Sequence, residues 1–448
     1  MMRLILKIVV LAAISTSFGL TLTLEDCIKI SATNNPSVLA AEAALEASNA
    51  QRYQAFTNFL PKAKLQATYT RLNEAPYTVL NPENFPFPTP PGMEPVRIEM
   101  GKAEMDKVEA SLTQPLAAPI FTGYALARKG TEQKKLELKK ARIEAVSQAE
   151  KAFFQLAKAK AFLEIAKISK KQVDDHIKQL TDMVEAGLVH RKDLLAAKVK
   201  GYEAELMLTQ AQNAVKLAKD GLKMALGLPD TVDVDIDYKL NVTDYSIPRD
   251  SAISMALRNS IDIRLMKIGI EAARLSIQMA FGELLPSFAA VFNYDYQKPN
   301  RQLENKWYDS WTAVGVISWN IFDWGANVAK IKQAKANFNQ IMHTKKLVID
   351  GVRLKVKAAY NTLEEKKKSL EIANSGLEAA KESYKVVSDL FSEGAATNLE
   401  FLDAQADCTR AKLNVLNAMA DYNIAKVELE KLTGELENKI DKILAKEQ

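Results

Sequence analysis

The chain has 448 residues, of which 48% are hydrophobic and 26% are charged, and its formal net charge at pH 7 is +5. Its 60 basic residues are interleaved with 55 acidic ones, a pattern typical of solvated helix faces, so no nucleic-acid partner is expected. The two cysteines, Cys27 and Cys408, form no CxxC motif or Cys/His cluster, and the sequence predicts neither a metal site nor a cofactor.

Residues 1–19 predict a secretory signal peptide. Arg3 and Lys7 flank an apolar segment, and small residues suited to signal peptidase follow at Ser17 and Gly19. No other segment offers eighteen consecutive apolar residues. The sequence therefore predicts an exported protein, and any membrane-spanning part is expected to be of the β-barrel type.

The first half of the chain predicts a structural repeat over residues 20–230, which opens with a helix. A β-hairpin is expected at 61–115, because apolar residues alternate with polar ones on both sides of a proline-rich loop. That loop, residues 76–95, holds seven of the fifteen prolines. A long α-hairpin is predicted at 122–228, with its turn at Gly187.

The first long helix carries two apolar stripes, which suit a helix packed between two neighbours. One stripe contains Val146 and Phe153, and the other contains alanines such as Ala149. At 1.5 Å per residue, the helix would be roughly 95 Å long. Such a rod is longer than a compact domain needs.

Residues 231–248 predict a linker. Asp233, Asp235 and Asp237 alternate with apolar residues there. A calcium loop would also need a central glycine and a terminal glutamate, which are missing, so an edge strand or linker is favoured.

The second half repeats the first. Residues 249–435 predict a helix, a β-hairpin at 286–320 and a long α-hairpin at 325–433, before a C-terminal tail at 436–448. The turn at Gly187 recurs 207 positions later at Gly394. All four tryptophans fall in or beside the last predicted strand, which is typical of membrane-interface aromatics: Trp307, Trp311, Trp319 and Trp324.

Four strands per chain cannot close a membrane barrel, since the smallest such barrels have about eight strands. Open strand edges in lipid would leave backbone groups unpaired. The chain is therefore expected to oligomerise. Three copies would give a 12-stranded barrel continued by a 12-helix tube, in a fold that is mainly α with a β-barrel part.

The chain resembles the TolC-like outer-membrane efflux proteins over nearly its whole mature length. The resemblance is carried by a set of motifs in the right order: Leu22-Thr23-Leu24-Glu25-Asp26-Cys27, Asn35-Pro36, Leu60-Pro61, Leu285-Pro286, Trp319-Asn320-Ile321-Phe322-Asp323-Trp324-Gly325, and the turns at Gly187 and Gly394. It implies a homotrimer in the outer-membrane lipid with a helical tunnel in the periplasm. It also implies a periplasmic adaptor (membrane fusion) protein and an inner-membrane pump of the RND or ABC type as partners.

Position by position, the resemblance implies two sites near the turns. The tips would dock the adaptor: Gly187, Leu188, Asp193, Gly394 and Ala395. Glu400 and Asp403 would ring the periplasmic aperture, although Glu400 replaces the family's aspartate. The Tyr and Arg that often latch the aperture are Phe391 and Ala396 in this chain, which leaves the latch undefined.

Two other function classes fit the sequence less well. An enzyme would need a catalytic constellation, but His176, His190 and His343 lie in helical stretches without a known catalytic motif, so no catalytic residue is expected. An exported trimeric coiled-coil structural or adhesin protein with no channel would explain the helices but not the duplicated β segments. The sequence does not identify the exported substrate (drug, metal ion or protein), because the inner-membrane pump selects it.

Overall fold

A computed structural model describes residues 20–300 and 304–445, so the predicted signal peptide at 1–19 lies outside the described residues. The helices are α1 (Leu24–Asn34), α2 (Pro36–Thr57), α3 (Ala118–Glu185), α4 (Arg191–Leu226), α5 (Arg249–Asn259), α6 (Ile261–Gly282), α7 (Ala326–Ser392), α8 (Asn398–Thr433) and α9 (Glu435–Ala445). The strands are β1 (Leu20–Leu22), β2 (Lys62–Arg71), β3 (Tyr77–Leu80), β4 (Val96–Glu99), β5 (Glu104–Leu116), β6 (Val234–Ile236), β7 (Ser287–Lys298) and β8 (Tyr308–Ser318).

The chain divides into two compact units. Of the described residues, the helical unit contains 20–46, 133–267 and 343–445. The sheet unit contains residues 47–132 and 268–342.

The sheet unit is built on four antiparallel strands in the order β2-β5-β7-β8. Its register aligns apolar residues across the strands, as in the row Leu65, Ala110, Tyr294 and Trp311. The adjacent row points to the opposite face and is polar: Gln66, Glu109, Asp295 and Ser310. The sheet thus has one apolar and one polar face, as the period-two alternation of the sequence predicts.

The proline-rich loop is more ordered than predicted. β3 and β4 form a two-stranded antiparallel sheet at its ends, and the Arg97 guanidinium lies 3.5 Å from the centre of the Tyr77 ring. The prediction of a loop throughout 76–95 was wrong because Pro76, Pro82 and Pro95 flank these strands and remove no hydrogen bond from the ladder.

In the helical unit, both predicted stripes of α3 are buried. Val146 and Phe153 are completely buried on one stripe, and Ala149 is completely buried on the other. Phe153 lies in a core with Leu222 and Leu226 of α4 and with apolar residues of β1 and β6. β6 pairs in parallel with β1, so the aspartate-rich segment forms a short strand, as one of the two favoured alternatives predicted.

The ends of α4 and α8 show the duplication in atomic detail. Gly227, with φ 68°, ends α4, and Gly434, with φ 85°, ends α8. A Cβ on Gly227 would lie 2.5 Å from the backbone oxygen of Asn34, whereas a Cβ on Gly434 would lie 2.6 Å from Cβ of Asn259. The end of α4 thus packs on Asn34, 193 positions upstream, and the end of α8 packs on Asn259, 175 positions upstream. The two asparagines occupy equivalent positions in the two repeats.

The segment predicted as a C-terminal tail begins with helix α9, which packs into the helical unit. Leu436, Ile440 and Ile443 are buried against Ile28 of α1 and Val146 of α3. On the same helix, Lys439 Nζ donates to Glu150 Oε1 on α3. This helix is therefore held by both apolar burial and an ion pair.

Candidate functional site

The two hairpin turns lie together at one end of the helical unit. An apolar cluster joins them, with Leu180 of α3 and Leu194 of α4 packed against Leu402 of α8. The predicted tip and aperture residues all flank these turns: Gly187, Leu188, Asp193, Gly394, Ala395, Glu400 and Asp403.

Both turns have the same backbone geometry. Gly187 and Gly394 each adopt φ 73°. The amide of Ala395 donates to the Leu390 carbonyl over 2.8 Å, and the amide of Leu188 donates to the Met183 carbonyl over 2.9 Å. These are the six-to-one bonds of Schellman motifs, whose left-handed residue favours glycine.

The space around the two turn glycines is open. A Cβ at Gly187 or Gly394 would have no heavy-atom neighbour within 4 Å among the described residues. The turns therefore need glycine for its positive φ and not for close packing. Leu188 is 73% exposed, which leaves an apolar side chain at the first turn available to a partner.

A buried polar bridge joins the hairpins beneath the turns. His176 Nε2 of α3 lies 2.7 Å from Asn398 Oδ1 of α8. Asn398 Nδ2 donates to the backbone carbonyl of Asp193 on α4 over 3.1 Å. No sequence motif marks His176 or Asn398 as partners.

Aromatic rings enclose this bridge. Phe391 stacks on Phe401 with ring centres 5.0 Å apart. The ring centre of His176 lies 4.6 Å from that of Phe401. The two hairpins of one chain are thus joined by stacking and hydrogen bonds at the place where a latch was left undefined.

Glu400 also has a local role in the structure, beyond the predicted aperture role. Thr397 and Glu400 form a capping box at the start of α8, in which the Thr397 amide donates to Glu400 Oε2 over 2.7 Å. These hydrogen bonds lower the pKa of Glu400. The Thr-x-x-Glu spacing is a readable signal for such a box. Asp403, one turn later, is exposed and free of this constraint.

Trp307 and Trp319 lie just outside the two ends of β8, Trp311 lies within it, and Trp324 lies six residues beyond it. Trp307 stacks on Tyr296 near one end, with ring centres 4.8 Å apart. At the other end, Trp319 Nε1 donates to the Leu284 carbonyl over 3.1 Å, and Trp324 is 91% exposed. The eleven residues of β8 would span roughly 36 Å at 3.3 Å per residue.

One face of α4 exposes a line of large apolar side chains. They recur at helical spacing and are each more than half exposed: Leu195, Val199, Tyr202, Leu206, Leu217 and Met224. An apolar face this long on an otherwise charged helix is typical of a protein interface.

In residues 20–300 and 304–445, no helix has the length and apolar character required to cross a membrane. In the same part of the chain, no group of three or more His, Cys, Asp or Glu side chains is arranged to hold a metal ion.

A family model described as outer membrane efflux protein matches residues 27–228 and 252–435. The outer membrane efflux protein BepC of Brucella suis is 23% identical over 272 residues, which cover 59% of this chain and 57% of the relative. The outer membrane protein TolC of Vibrio cholerae is 22% identical over 293 residues, which cover 64% of this chain and 66% of the relative. The matched region thus spans less than two thirds of either relative.

Among solved structures, the CmeC outer membrane channel of Campylobacter jejuni is similar to this chain with a TM-score of 0.78. The two sequences are 17% identical, and the superposition covers 94% of this chain and 89% of that channel. This likeness identifies the fold, with its long helices and its sheet.

Proposed function

The chain belongs to the outer membrane efflux protein family and is an outer-membrane protein; from this membership we propose that it forms the exit duct of a tripartite efflux or type I secretion system. The duct conducts cargo passively, and an inner-membrane pump of the RND or ABC type selects that cargo. The observation that carries the proposal is the four-stranded sheet, which exposes an apolar face and leaves β2 and β8 as edges in the described chain.

Those edges support a homotrimer. Backbone groups on β2 and β8 need partners in lipid, and three copies supply twelve strands to close a barrel. The exposed apolar face of α4 supports the same assembly, because a neighbouring copy packed against it would remove these side chains from water. The tryptophans at the ends of β8 would then lie at the two membrane interfaces.

The test is the mass of the protein purified in detergent. We expect a trimer that aggregates when detergent is removed. A coiled-coil rod or adhesin, the alternative function, would remain monodisperse in buffer alone. A monodisperse monomer in detergent that retains its β circular-dichroism signal would contradict the duct.

We also propose that Glu400 and Asp403 line the aperture. Three copies would place up to six carboxylates around one axis, and acidic rings favour cations. In planar bilayers, Glu400→Gln with Asp403→Asn should reduce cation selectivity and block by multivalent cations, while glutamine can still accept the capping bond from Thr397. Lys368→Ala, which removes an exposed charge on α7, is the control. Unchanged selectivity in the double variant would show that these acids face away from the lumen.

The tips are proposed to dock the periplasmic adaptor. Gly394→Leu places a bulky side chain at an open turn, so we expect folding to survive with a loss of about 1–2 kcal/mol from the positive φ and adaptor crosslinking to be lost. Gly376→Leu is the matched control, because its Cβ also meets nothing within 4 Å but lies within α7, away from the turn. Normal crosslinking by Gly394→Leu would rule out docking at this turn.

A further inference from the structure

The charged side chains on the polar face of the four-stranded sheet are unevenly distributed. In the rows that cross all four strands they are Lys62 and Lys64 of β2, Lys107 and Glu109 of β5, and Asp295 of β7. Lys107 Nζ lies 2.7 Å from Glu109 Oε2 and 3.1 Å from Asp295 Oδ1. Both acids of these rows are therefore paired with Lys107, in the part of the sheet nearer to the proline-rich loop.

Lys62 and Lys64 lie in the other part of this face, at the end of β2 that follows α2. Each is the one charged member of its row, and the remaining residues of the two rows are polar or apolar: Ser111, Asn293 and Thr312 beside Lys64, and Thr113, Val291 and Val314 beside Lys62. Both lysines are exposed. Lys64 Nζ donates to Gln66 Oε1 over 2.6 Å, and neither lysine forms an ion pair within the described part of the chain.

The opposite face of the sheet shows which side would meet the lumen. It carries apolar residues such as Leu65 and Trp311, which would contact lipid in a closed barrel. The polar face would then line the pore. Two lysines from each of three copies would place six ammonium groups around one end of that pore.

Charges of one sign in a confined lumen have a stronger effect than the same charges on an open surface. Walls of low dielectric constant focus the field and raise the local concentration of counter-ions. Rings of basic side chains act in this way in pores that select anions and phosphates. The unpaired lysines thus suit a ligand that carries several negative charges.

We propose that Lys62 and Lys64 of the three copies form a lysine belt, a binding site for multivalent anions of the polyphosphate type in the barrel lumen. The lysine belt rests on the proposed duct, since it needs the closed pore. It acts on ions of the opposite sign to those favoured by Glu400 and Asp403. The barrel therefore attracts anionic cargo independently of the proposed aperture acids.

The experiment measures the block of the channel by sodium tripolyphosphate, with the whole protein in planar bilayers. We expect a reversible block of the wild-type current that deepens at the polarity driving the anion into the lumen. Raising the salt from 0.1 M to 1 M should weaken the block, because the Debye length falls from about 10 Å to about 3 Å. A wild-type channel that tripolyphosphate does not block would overturn the lysine belt.

Lys62→Gln with Lys64→Gln removes the charges and keeps polar side chains on the strand. The concentration of tripolyphosphate for half block should rise at least about tenfold, because up to six attractive charge interactions are lost. Arg71→Gln is the matched control, since Arg71 ends the same strand on the opposite face, beside Glu104. It should leave the block unchanged. Equal block in the double variant and the wild type would show that the lysines do not bind the anion.

A chemical modification restores or reverses the charge at one position. Lys64→Cys is made together with Lys62→Gln, while the native Cys27 and Cys408 stay in place because both are buried. A positively charged methanethiosulfonate reagent should restore the block, and a negatively charged one should abolish what remains of it. The same response to both reagents would overturn the lysine belt. Failure of the duct itself would appear separately, as the absence of trimers and of any conductance.

Discussion

Gly227→Ala should be among the most destabilising single substitutions in the chain. The alanine would adopt φ 68°, which costs about 1–2 kcal/mol in a non-glycine residue. Its Cβ would also lie 2.5 Å from the Asn34 carbonyl oxygen, a backbone atom that cannot rotate away. Overpacking of this kind adds about 1–3 kcal/mol. We therefore expect the free energy of unfolding to fall by about 2–5 kcal/mol, the sum of the two effects.

The matched control is Gly394→Ala. This glycine has nearly the same φ, but a Cβ there meets nothing within 4 Å. Its cost should be the backbone strain alone, about 1–2 kcal/mol. The measurement is the guanidinium concentration that halves the helical circular dichroism of the protein in detergent. Equal losses in the two variants would mean that α1 moves away from the end of α4 without cost.

Lys439→Ala should lower the free energy of unfolding by a similar amount through a different mechanism. Glu150 is completely buried, and its Oε2 has no hydrogen-bond partner within the described part of the chain. Lys439 supplies the compensating charge at Oε1 and is itself partly exposed. Removing Lys439 would leave the buried charge of Glu150 without a partner. We therefore expect the free energy of unfolding to fall by about 3 kcal/mol, with α9 detaching first.

Two further variants separate this mechanism from lost packing. Lys439→Met combined with Glu150→Leu removes both charges and keeps apolar volume, so most of the stability should return. Lys368→Ala breaks an exposed pair with Glu371 and should cost less than about 1 kcal/mol. The readout is the proteolytic release of residues after Gly434, together with the guanidinium midpoint. If Lys439→Ala behaves like Lys368→Ala, the buried pair does not hold α9.

Much of the fold could be predicted because its periodicities are strong and occur twice. Alternation predicted β-hairpins at 61–115 and 286–320, and all four strands of the main sheet lie within these ranges to a single residue. The start of α3 was placed at residue 122, whereas the helix begins at Ala118, because Pro119 is accepted in a first turn. The strands β3 and β4 were missed because they are short and lie beside prolines.

The candidate site was less accessible to sequence reasoning. Glycine spacing located both turns, because a turn residue with a positive φ favours glycine and a glycine can be recognised in the sequence. The bridge from His176 to Asn398 joins positions 222 residues apart, and no local pattern marks either residue. The docking and aperture assignments for residues such as Gly394 and Asp403 stay predictions that the proposed variants test.

The central pairing of β5 with β7 has a consequence for the origin of the assembly. It joins the second strand of the first hairpin to the first strand of the second hairpin. In a closed ring of three copies, β8 of one copy would meet β2 of the next in the same relation. Every pairing between neighbouring hairpins would then join the second strand of one hairpin to the first strand of the next. The ring would therefore have quasi-six-fold symmetry. A gene encoding a single repeat, assembled as a hexamer, is the simplest ancestor of such a chain.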